Sequence, residues 1–501
     1  MTNNKKTVFM TGSTGTMGME TLKQFVQRQD RFQLKLLVFD SPRDRRIIAP
    51  YARNKNIDVV YGNMKDARLV DQCVAGADYV LHIGAMVSPM ADQFPEETIR
   101  VNLGSTLHII EAIKRQPNPD DIALIYIGTV GETGCRRDPI HWGRVGDPIK
   151  GSIFDYYSTS KIAAERAVFE SGLNKWVSIR QTGILPFASA PSPIMFHQNF
   201  NNVLEWITAE ESGLLMANLC EDGLPPSFWK RAYNVGGGEK WRLTLWQLLE
   251  MYFGLMGLDY RKFLNPSDMG MYNFHGHWYT DSDELEAIAR FRFLDPETFF
   301  KRELKTIRTL RSIPLLRHLL PNEKKMQRIL NRPNVEPGGT KWMFQQKEED
   351  WIKAFFGSPE TREQINTWEE GYEVYDPDRT PTFMDHGYDE SKPASELDLS
   401  DVQGAARFRG GTCRSTSMTP GDLFTPLTWS CHLGHEFQAT PNLILKGGHW
   451  CPECERTAWD YAAYAEHSPF HAQVWTPLHG DQHRIRVVKE FSDRTVTDML
   501  P

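Results

Sequence analysis

The sequence lacks a long apolar run: no stretch approaches the roughly 18–20 consecutive apolar residues that a bilayer-spanning helix needs. The first residues, MTNNKKTVFMTG, lead straight into a strand pattern without the apolar core of a signal peptide. Basic charge is not in excess either, since 57 Lys and Arg face 64 Asp and Glu, a net charge of −7. These absences predict a cytoplasmic protein and give no global sign of nucleic-acid binding.

Cysteine is scarce and unevenly placed. There are seven cysteines, of which Cys73, Cys135 and Cys220 are scattered through the first half. Single cysteines in a chain expected to be cytosolic are best interpreted as reduced thiols. The other four crowd near the C-terminus and need a separate explanation.

Short apolar runs alternate with amphipathic stretches between residues 5 and 180. The strand candidates are Thr7–Gly12, Leu34–Asp40, Asp58–Gly62, Tyr79–Ala85, Ala123–Thr129 and Trp176–Arg180. Fully apolar strands that alternate with helices are typical of a parallel sheet covered on both faces. The sequence therefore predicts an α/β fold built on a doubly wound parallel sheet of the Rossmann type.

The pattern loosens after about residue 190. Residues 301–332 carry ten Lys and Arg against two Glu, with apolar residues at 304, 307, 310 and 313. This predicts a basic amphipathic helix, which either packs its apolar face on its own domain, the favoured reading, or lies on a membrane surface. The polar, acidic stretch 378–402 is predicted to be a linker.

A glycine-rich turn joins the first predicted strand to the first predicted helix. In VFMTGSTGTMGMETLKQF, Gly12, Gly15 and Gly18 lie at that junction. Glycines there permit a tight turn and a close approach of backbone amides to a pyrophosphate, and the helix N-terminus adds partial positive charge. Because Asp40 ends the second strand 22 residues after Gly18, the context favours a dinucleotide site over a chance turn.

Asp40 also bears on which dinucleotide binds. A carboxylate at this position accepts hydrogen bonds from the ribose hydroxyls and repels a 2′-phosphate, which favours NAD. Arg43, Arg45 and Arg46 follow in DSPRDRR, and a nearby arginine accommodates NADP in some proteins. NAD is the predicted cofactor, and NADP is the alternative.

The stretch FDYYSTSKIAAER holds two adjacent tyrosines and one lysine. Tyr157 and Lys161 are four residues apart and share a helix face, whereas Tyr156 and Lys161 do not. An ammonium beside a phenol lowers the pKa of the phenol, which provides a general acid or base near neutral pH. The spacing therefore favours Tyr157 as the catalytic tyrosine and leaves Tyr156 to pack or to line the substrate site.

The order of these and further motifs resembles that of the extended short-chain dehydrogenase/reductase family, the NAD-dependent epimerase/dehydratase group that also holds 3β-hydroxysteroid dehydrogenases. The similar segments, over about residues 5–300, are TGSTGTMG, GNMKD, HIGA, VNLGSTLHIIEA, YIGTVGETG, YSTSK, YNVGGGE and TDSDELEAIARFRF. The resemblance implies three catalytic residues: Thr129 to hydrogen-bond the reacting oxygen, Tyr157 to transfer the proton, and Lys161 to hold the nicotinamide ribose. It implies that the cofactor is bound by Gly12, Thr14, Gly15, Thr16, Met17, Gly18, Asp40, Asn63, Met64, Ile83, Gly84, Ala85, Asn102, Tyr157 and Lys161.

The substrate side departs from that family. RQTGILPF stands where the family often has RPxxVYGP, and no arginine motif for a nucleotide diphosphate is evident. Both departures argue against a nucleotide-sugar substrate. In MYNFHGHWYTDSD, His275 and His277 either ligate a metal, contact a polyhydroxylated substrate, or belong to an aromatic cover over the sheet, which is the favoured interpretation.

The crowded cysteines have metal-ligand spacing. Cys431 and His435 form one pair, Cys451 and Cys454 form a CPxC knuckle, and fifteen residues separate the pairs. Three thiolates and one imidazole suit tetrahedral Zn²⁺, and the stretch resembles a treble-clef zinc finger. His432 and His449 are rival ligands, ranked lower because His435 completes a GHxF pattern.

Four protein ligands leave no open position, so the zinc is expected to be structural. The module lacks a dense Lys/Arg stripe, so nucleic acid is not an expected partner. A role as substrate lid or subunit contact is favoured at least as much as nucleic-acid binding, and a homodimer is an open alternative.

The predicted domains are a cofactor-binding domain at 1–190, a substrate-binding and helical region at 191–377, the linker at 378–402 and the zinc-finger-like module at 403–501. The leading functional hypothesis is an NAD-dependent oxidoreductase acting on a hydroxyl or keto carbon of a polar small molecule such as a sugar. The alternatives are a sugar epimerase or dehydratase with tightly bound NAD, and an NAD-sensing regulatory protein that binds a partner through its zinc module.

Overall fold

The computed structural model describes residues 5–186, 191–313, 320–480 and 483–489. The strands are β1 (Lys6–Thr11), β2 (Phe32–Val38), β3 (Ile57–Tyr61), β4 (Tyr79–His82), β5 (Ala123–Thr129), β6 (Trp142–Gly143), β7 (Trp176–Gln181), β8 (Ile184–Leu185), β9 (Val203–Glu205), β10 (Ile207–Thr208), β11 (Arg231–Val235), β12 (Arg242–Thr244), β13 (Trp278–Tyr279), β14 (Thr412–Cys413), β15 (Leu427–Ser430), β16 (Glu436–Ala439), β17 (Ala458–Trp459) and β18 (Val487–Val488). The helices are α1 (Thr16–Val26), α2 (Pro42–Ile48), α3 (Ala67–Val74), α4 (Met90–Gln93), α5 (Pro95–Lys114), α6 (Tyr156–Phe169), α7 (Ala209–Asn218), α8 (Leu245–Leu255), α9 (Ser282–Ala289), α10 (Pro296–Glu303), α11 (Lys305–Ser312), α12 (Glu323–Asn334), α13 (Thr340–Gln346), α14 (Glu349–Phe356), α15 (Pro359–Glu363), α16 (Leu399–Phe408), α17 (Pro452–Thr457), α18 (Tyr461–His467) and α19 (Pro469–His479).

A seven-stranded sheet forms the centre of the N-terminal half, in the order β11-β7-β5-β4-β1-β2-β3. All of its strand pairs are parallel. Every residue of β5 is buried, as expected for a strand covered on both faces. The strand order reverses between β1 and β4, and the carboxyl ends of these strands border the crevice in which such sheets bind ligands. The predicted Rossmann-type α/β fold is confirmed.

All six predicted strands are present, and their ends differ from the predicted ends by at most three residues. The seventh strand, β11, was not predicted, because its residues had been assigned to the substrate region. It returns to the sheet beside β7 after a long excursion, and Arg231 to Val235 pair with Val177 to Gln181. Five residues carry too short a pattern to reveal a partner so far away in the sequence.

The basic region 301–332 is not one helix. Its described residues lie in α10, α11 and α12, and residues 314–319 fall outside the described part of the chain. Leu304 is buried and Ile307 packs against the same apolar cluster, so the apolar face packs on its own domain. Within the described ranges, no helix is both long enough and apolar enough to cross a membrane.

One apolar core runs from the sheet into the C-terminal region. It includes Leu124 and Trp176 from the sheet together with Trp429, Leu443 and Trp459 from the C-terminal module. The module is therefore packed on the Rossmann half through apolar side chains.

The stretch predicted to be a linker also packs closely. His386 is buried, with Nε2 lying 2.9 Å from Asp147 Oδ1 and Nδ1 lying 2.8 Å from Glu390 Oε1. Leu397 is fully buried. Polar residues here are held by ion pairs, so the composition that suggested a solvated segment is compatible with a packed one.

Candidate active site

The turn between β1 and α1 requires glycine at two positions. Gly12 has a φ of 75°, and a Cβ there would lie 2.6 Å from the Gly84 nitrogen. A Cβ at Gly18 would lie 2.0 Å from the Gly12 carbonyl oxygen, so only glycine lets α1 begin this close to the turn. The Ser13 hydroxyl is buried and has no hydrogen-bond partner among the described residues. A glycine turn at a helix N-terminus, with a buried and unpaired hydroxyl beside it, fits the pyrophosphate of NAD.

The other predicted cofactor residues border the same crevice. Thr14 and Gly15 lie in the turn, Thr16 and Met17 begin α1, Asn63 and Met64 follow β3, and Ile83, Gly84 and Ala85 follow β4. The structure therefore brings these residues together at the carboxyl edge of the sheet.

Asn102, on α5, holds the loop that follows β4. Its Oδ1 accepts a hydrogen bond of 2.7 Å from the Met86 amide, and its Nδ2 donates to the Met86 carbonyl at 2.9 Å. Nδ2 also donates to the Ser160 hydroxyl at 2.8 Å. Because Ser160 lies on α6, Asn102 ties the cofactor side of the crevice to the candidate catalytic helix.

Asp40 lies just beyond β2, exposed, and forms a bidentate ion pair with Arg45. The two distances are 2.5 Å for Nε–Oδ1 and 3.0 Å for NH2–Oδ2. The hydrogen bond to Arg45 holds the pKa of Asp40 below its ordinary value. Arg45 also stacks over Tyr61, 4.0 Å from the ring centroid, while Arg43 pairs with Asp44. Arg45 thus offsets the charge that was expected to repel a 2′-phosphate.

Helix α6 begins at Tyr156 because Asp155 caps it. The Asp155 Oδ1 accepts a hydrogen bond of 2.8 Å from the Ser158 amide. Tyr156 turns into the core, where its ring meets Trp459 edge-on with centroids 5.3 Å apart. Tyr156 therefore packs against the C-terminal module.

Tyr157 is half-buried and lies beside Thr129 at the carboxyl end of β5. Burial raises the pKa of the Tyr157 phenol, a hydrogen bond with Thr129 lowers it, and the carboxylates of Glu132 and Asp155 raise it again. The net shift is upward. The expected lowering by Lys161 is therefore not found in the protein alone, because the loss of hydration outweighs the favourable contacts of the phenolate.

Lys161 is buried one helical turn beyond Tyr157. Its Nζ lies 4.0 Å from the centroid of the Tyr126 ring. Burial lowers the pKa of Lys161 to about 8, and the nearby carboxylates of Glu132 and Glu165 oppose that shift. The side chain therefore carries a positive charge at neutral pH in a site with little water.

Sequence reasoning missed three buried charged residues behind this group. The Arg180 guanidinium donates to Glu165 through Nε at 3.0 Å and NH2 at 2.7 Å, and its Nε lies 3.3 Å from Glu132 Oε2. The Glu132 Oε1 accepts a hydrogen bond of 2.9 Å from the Thr129 amide. The T-x-x-E spacing of Thr129 and Glu132, a capping box, was the available signal for Glu132. No local pattern pairs Arg180 with Glu165.

The two predicted histidines of the substrate side have different surroundings. His275 Nδ1 lies 3.4 Å from Asp155 Oδ2, beside the start of α6. His277 is fully buried, edge-on to Tyr279, and burial holds its pKa well below the ordinary value. In the described part of the chain, neither belongs to a metal-binding cluster.

The four predicted zinc ligands converge. Cys431 follows β15, His435 precedes β16, and Cys451 and Cys454 lie at the start of α17. The Cys431 and Cys454 sulfurs are 3.8 Å apart, and His435 Nδ1 lies 3.5 Å from Cys451 Sγ and 3.4 Å from Cys454 Sγ. Tetrahedral zinc with Zn–S of about 2.3 Å and Zn–N of about 2.0–2.1 Å requires edges of about 3.8 and 3.6 Å. The donor set therefore fits zinc in both type and spacing.

The two rival ligands lie elsewhere. His432 stacks on His467 with ring centroids 5.0 Å apart. His449 is fully buried and its Nε2 lies 3.0 Å from Glu165 Oε2. Neither belongs to the Cys/His cluster.

Residues 9–184 match the model of the 3-beta hydroxysteroid dehydrogenase/isomerase family. The chain is 25% identical over 173 residues to human 3 beta-hydroxysteroid dehydrogenase type 7. The aligned segment covers 34% of this chain and 46% of that protein. It is 29% identical over 118 residues to a UDP-glucose 4-epimerase of Rickettsia canadensis, and the aligned segment covers 22% of this chain and 34% of that protein. The crystal structure of a Bacillus anthracis dTDP-glucose 4,6-dehydratase in complex with NAD aligns with a TM-score of 0.47 and 14% identity, over 61% of this chain and 97% of that one.

This chain thus spans less than half the length of these curated relatives. The matched region nevertheless contains the glycine turn, Thr129, Tyr157 and Lys161, together with six of the seven strands of the central sheet. Over residues 9–184, the chain is therefore similar to the 3-beta hydroxysteroid dehydrogenase/isomerase family.

Proposed function

We propose that the protein is an NAD-dependent oxidoreductase that transfers hydride between the nicotinamide and a hydroxyl or keto carbon of a polar small molecule. The observation that carries the proposal is the proximity of Thr129, at the carboxyl end of β5, to Tyr157, in the first turn of α6, where Thr129 lowers the pKa of the Tyr157 phenol. The glycine turn lies at the same edge of the sheet. A hydroxyl and a phenol at this edge are placed to hold a substrate oxygen beside a dinucleotide.

The side chains have separate roles in that reaction. Bound NAD would supply the hydride acceptor or donor. Thr129 holds the reacting oxygen, and Tyr157 gives its proton to a carbonyl during reduction or, once deprotonated, takes a proton from a substrate hydroxyl during oxidation. Because its pKa is raised, Tyr157 is a phenol at neutral pH and is ready to act as an acid. Lys161, buried one helical turn beyond Tyr157, would hold the nicotinamide ribose through its ammonium group.

A recess beside the start of α6 supports a polar, hydroxyl-bearing substrate such as a sugar. Its lining includes Asp92, Asp155, His197, His275, Phe154 and Trp351. Burial, followed by the charge of Asp155, raises the pKa of Asp92 to about 7, so this carboxyl donates as well as accepts near neutral pH. The described residues that line the recess include no Lys or Arg, so the recess favours a neutral ligand over a diphosphate.

A sugar epimerase or dehydratase is the second candidate. It is favoured by the similarity to UDP-glucose 4-epimerase within the cofactor-binding half. Such an enzyme returns the hydride to the same substrate, so NADH stays bound. Absorbance of NADH in bulk solution separates the two candidates, since only the net oxidoreductase changes it.

We also propose one structural zinc per chain, held by Cys431, His435, Cys451 and Cys454. The proposal is supported by the tetrahedral edge lengths of the cluster and by a ligand set with no open position. The ligands join a β-hairpin to the first turn of α17, so the metal would hold the module together.

The proposed oxidoreductase is tested by two matched tyrosine variants. Tyr157→Phe should lower turnover by about 10²–10⁴-fold, because the proton-transfer group is lost. NAD affinity should stay within a few-fold. Tyr156→Phe should retain most activity, because that ring packs in the core against Trp459 and the substitution keeps the ring. NADH absorbance across a panel of sugars and steroids gives turnover, and titration gives the NAD dissociation constant. The opposite behaviour of the two variants would show that the assignment of the catalytic tyrosine is wrong.

A further inference from the structure

One histidine of the C-terminal module, His449, contacts helix α6 of the Rossmann domain. His449 lies two residues before Cys451 and is fully buried. Its Nε2–H donates to Glu165 Oε2 across 3.0 Å, and Glu165 lies on α6, one turn after Lys161. Both side chains are excluded from solvent, so this contact is not an exposed ion pair of little energetic weight.

The same loop makes a second contact with the buried polar network that Glu165, Arg180 and Glu132 form. The Arg180 NH2 donates to the Gly447 carbonyl at 2.7 Å and to Glu165 Oε2, also at 2.7 Å. Glu165 Oε1 accepts from the Ser178 hydroxyl at 2.5 Å as well. Residues 447–449 therefore contact both the carboxylate of Glu165 and the guanidinium of Arg180.

The network ends at Thr129. Arg180 Nε lies 3.3 Å from Glu132 Oε2, and Glu132 Oε1 accepts the Thr129 amide hydrogen at 2.9 Å. A continuous series of polar contacts thus runs from the metal-ligand loop to the residue that holds the reacting oxygen. Each charged member is buried, so removing one partner leaves an uncompensated charge that the others must rearrange to accommodate.

We propose that His449 is a positioning residue of the active site, which fixes Thr129 through Glu165, Arg180 and Glu132. The inference rests on the proposed function, because it gives the C-terminal module a part in the oxidoreductase reaction. The module acts from behind the sheet, and His449 itself touches neither substrate nor cofactor. Without His449, Glu165 Oε2 loses a hydrogen-bond donor. Arg180 then shifts towards that oxygen and loosens its contact with Glu132.

The test compares two substitutions of the same residue in the full-length protein. His449→Asn keeps an amide donor but is too short to reach Glu165, whereas His449→Gln places its amide near the position of Nε2. We expect His449→Asn to lower kcat about tenfold or more, with the KM for NAD within about twofold, because a small displacement at a reacting centre is costly. His449→Gln should restore kcat to within about threefold of the wild type.

Two further readouts separate this role from a general loss of structure. Zinc content should stay unchanged in both variants, because His449 is not a ligand of the cluster. Hydrogen exchange should quicken in peptides covering 129–134 in His449→Asn and stay unchanged over β1 and β2. His467→Ala, an exposed histidine of the same module, is the control and should match the wild type in every readout.

The outcomes are distinct. Wild-type kcat and wild-type exchange at 129–134 in His449→Asn overturn the proposal. So does equal loss of activity in both variants accompanied by loss of zinc. If the wild-type protein shows no NAD-linked turnover, the proposed function fails. The exchange measurement still decides whether His449 positions Thr129.

Discussion

At the scale of single residues, Asp40 shows how one contact changes the meaning of a motif position. The sequence suggests a carboxylate that selects NAD by repelling a 2′-phosphate. In the structure, that carboxylate is already engaged by Arg45, which is itself held against Tyr61. Cofactor choice therefore depends on a pair of residues.

Substitution of Asp40 and substitution of Arg45 should move cofactor preference in opposite directions. Asp40→Ala should weaken NAD binding and reduce discrimination against NADP, because ribose hydrogen bonds are lost and Arg45 is freed. Arg45→Ala should strengthen the preference for NAD, because Asp40 is left uncompensated. A change of several-fold in the ratio of the two dissociation constants is expected, and not more, because solvent screens an exposed ion pair.

Titration of both cofactors against each variant gives the ratio. Arg43→Ala is the control, because Arg43 pairs with Asp44 instead. A wild-type protein that already prefers NADP would contradict the role assigned to Asp40.

At the scale of elements, His82 joins two strands and a helix. It ends β4, its Nδ1 lies 2.9 Å from the Thr11 hydroxyl of β1, and its Nε2 lies 3.1 Å from Thr106 and 3.2 Å from Ser105 of α5. Thr11 in turn accepts the Gly84 amide hydrogen at 3.0 Å. These contacts hold the loop after β4 against the glycine turn.

This burial makes the fold sensitive to acid. Burial, with a smaller effect of Lys161, lowers the pKa of His82 from 6.5 to about 3. In the unfolded chain the imidazole takes up a proton below about pH 6.5. Its contribution to stability is therefore fully present above that pH and is lost as the pH falls towards 3. His82 should cost the fold roughly 3 kcal/mol between pH 6.5 and 4.

His82→Gln, which does not titrate, should lose less free energy of unfolding over that range than the wild type. Urea unfolding at pH 7, 6, 5 and 4 measures the difference. The exposed His467→Gln is the matched control and should follow the wild-type curve. Equal acid sensitivity of His82→Gln and wild type would remove His82 as the cause.

At the scale of the whole molecule, the C-terminal module and the Rossmann half share an apolar core. Tyr156 packs on Trp459, the Tyr461 hydroxyl donates to the Gly151 carbonyl at 2.6 Å, and the Glu170 carboxylate accepts from the Thr440 hydroxyl at 2.7 Å. Loss of order in the module would therefore expose core surface of the sheet domain.

Removal of zinc should accordingly lower the melting temperature of the whole chain by several degrees, because metal binding contributes directly to folding. Purified protein should contain about one zinc per chain. Cys451→Ser should lower both zinc content and melting temperature. Cys413→Ser, a buried cysteine outside the cluster, should leave zinc content unchanged.

Elemental analysis measures the zinc content, and thermal unfolding with and without a strong chelator measures the change in melting temperature. A zinc content near zero, together with unchanged melting after chelation, would leave these cysteines as ordinary core thiols.

Most of the sheet was predictable from the sequence, and the members of the candidate site could be proposed from it, because their signals are local. Strand and helix periods, the glycine turn and the four-residue spacing of Tyr157 and Lys161 depend on backbone geometry over a few residues. The spacing of Cys451 and Cys454 is likewise set by the first turn of α17. These features are written in neighbouring residues, so one sequence is enough to find them.

The tertiary structure decided what depends on distant partners and on burial. It pairs β11 with β7, engages Asp40 with Arg45, and carries His449 across 284 residues to Glu165. It also reverses the expected pKa shift of Tyr157. Hydration is lost only when the chain packs, and a buried charge is compensated by whichever group the fold brings near it. Local sequence specifies neither hydration nor charge compensation, so it can name candidate site residues but does not determine their electrostatics.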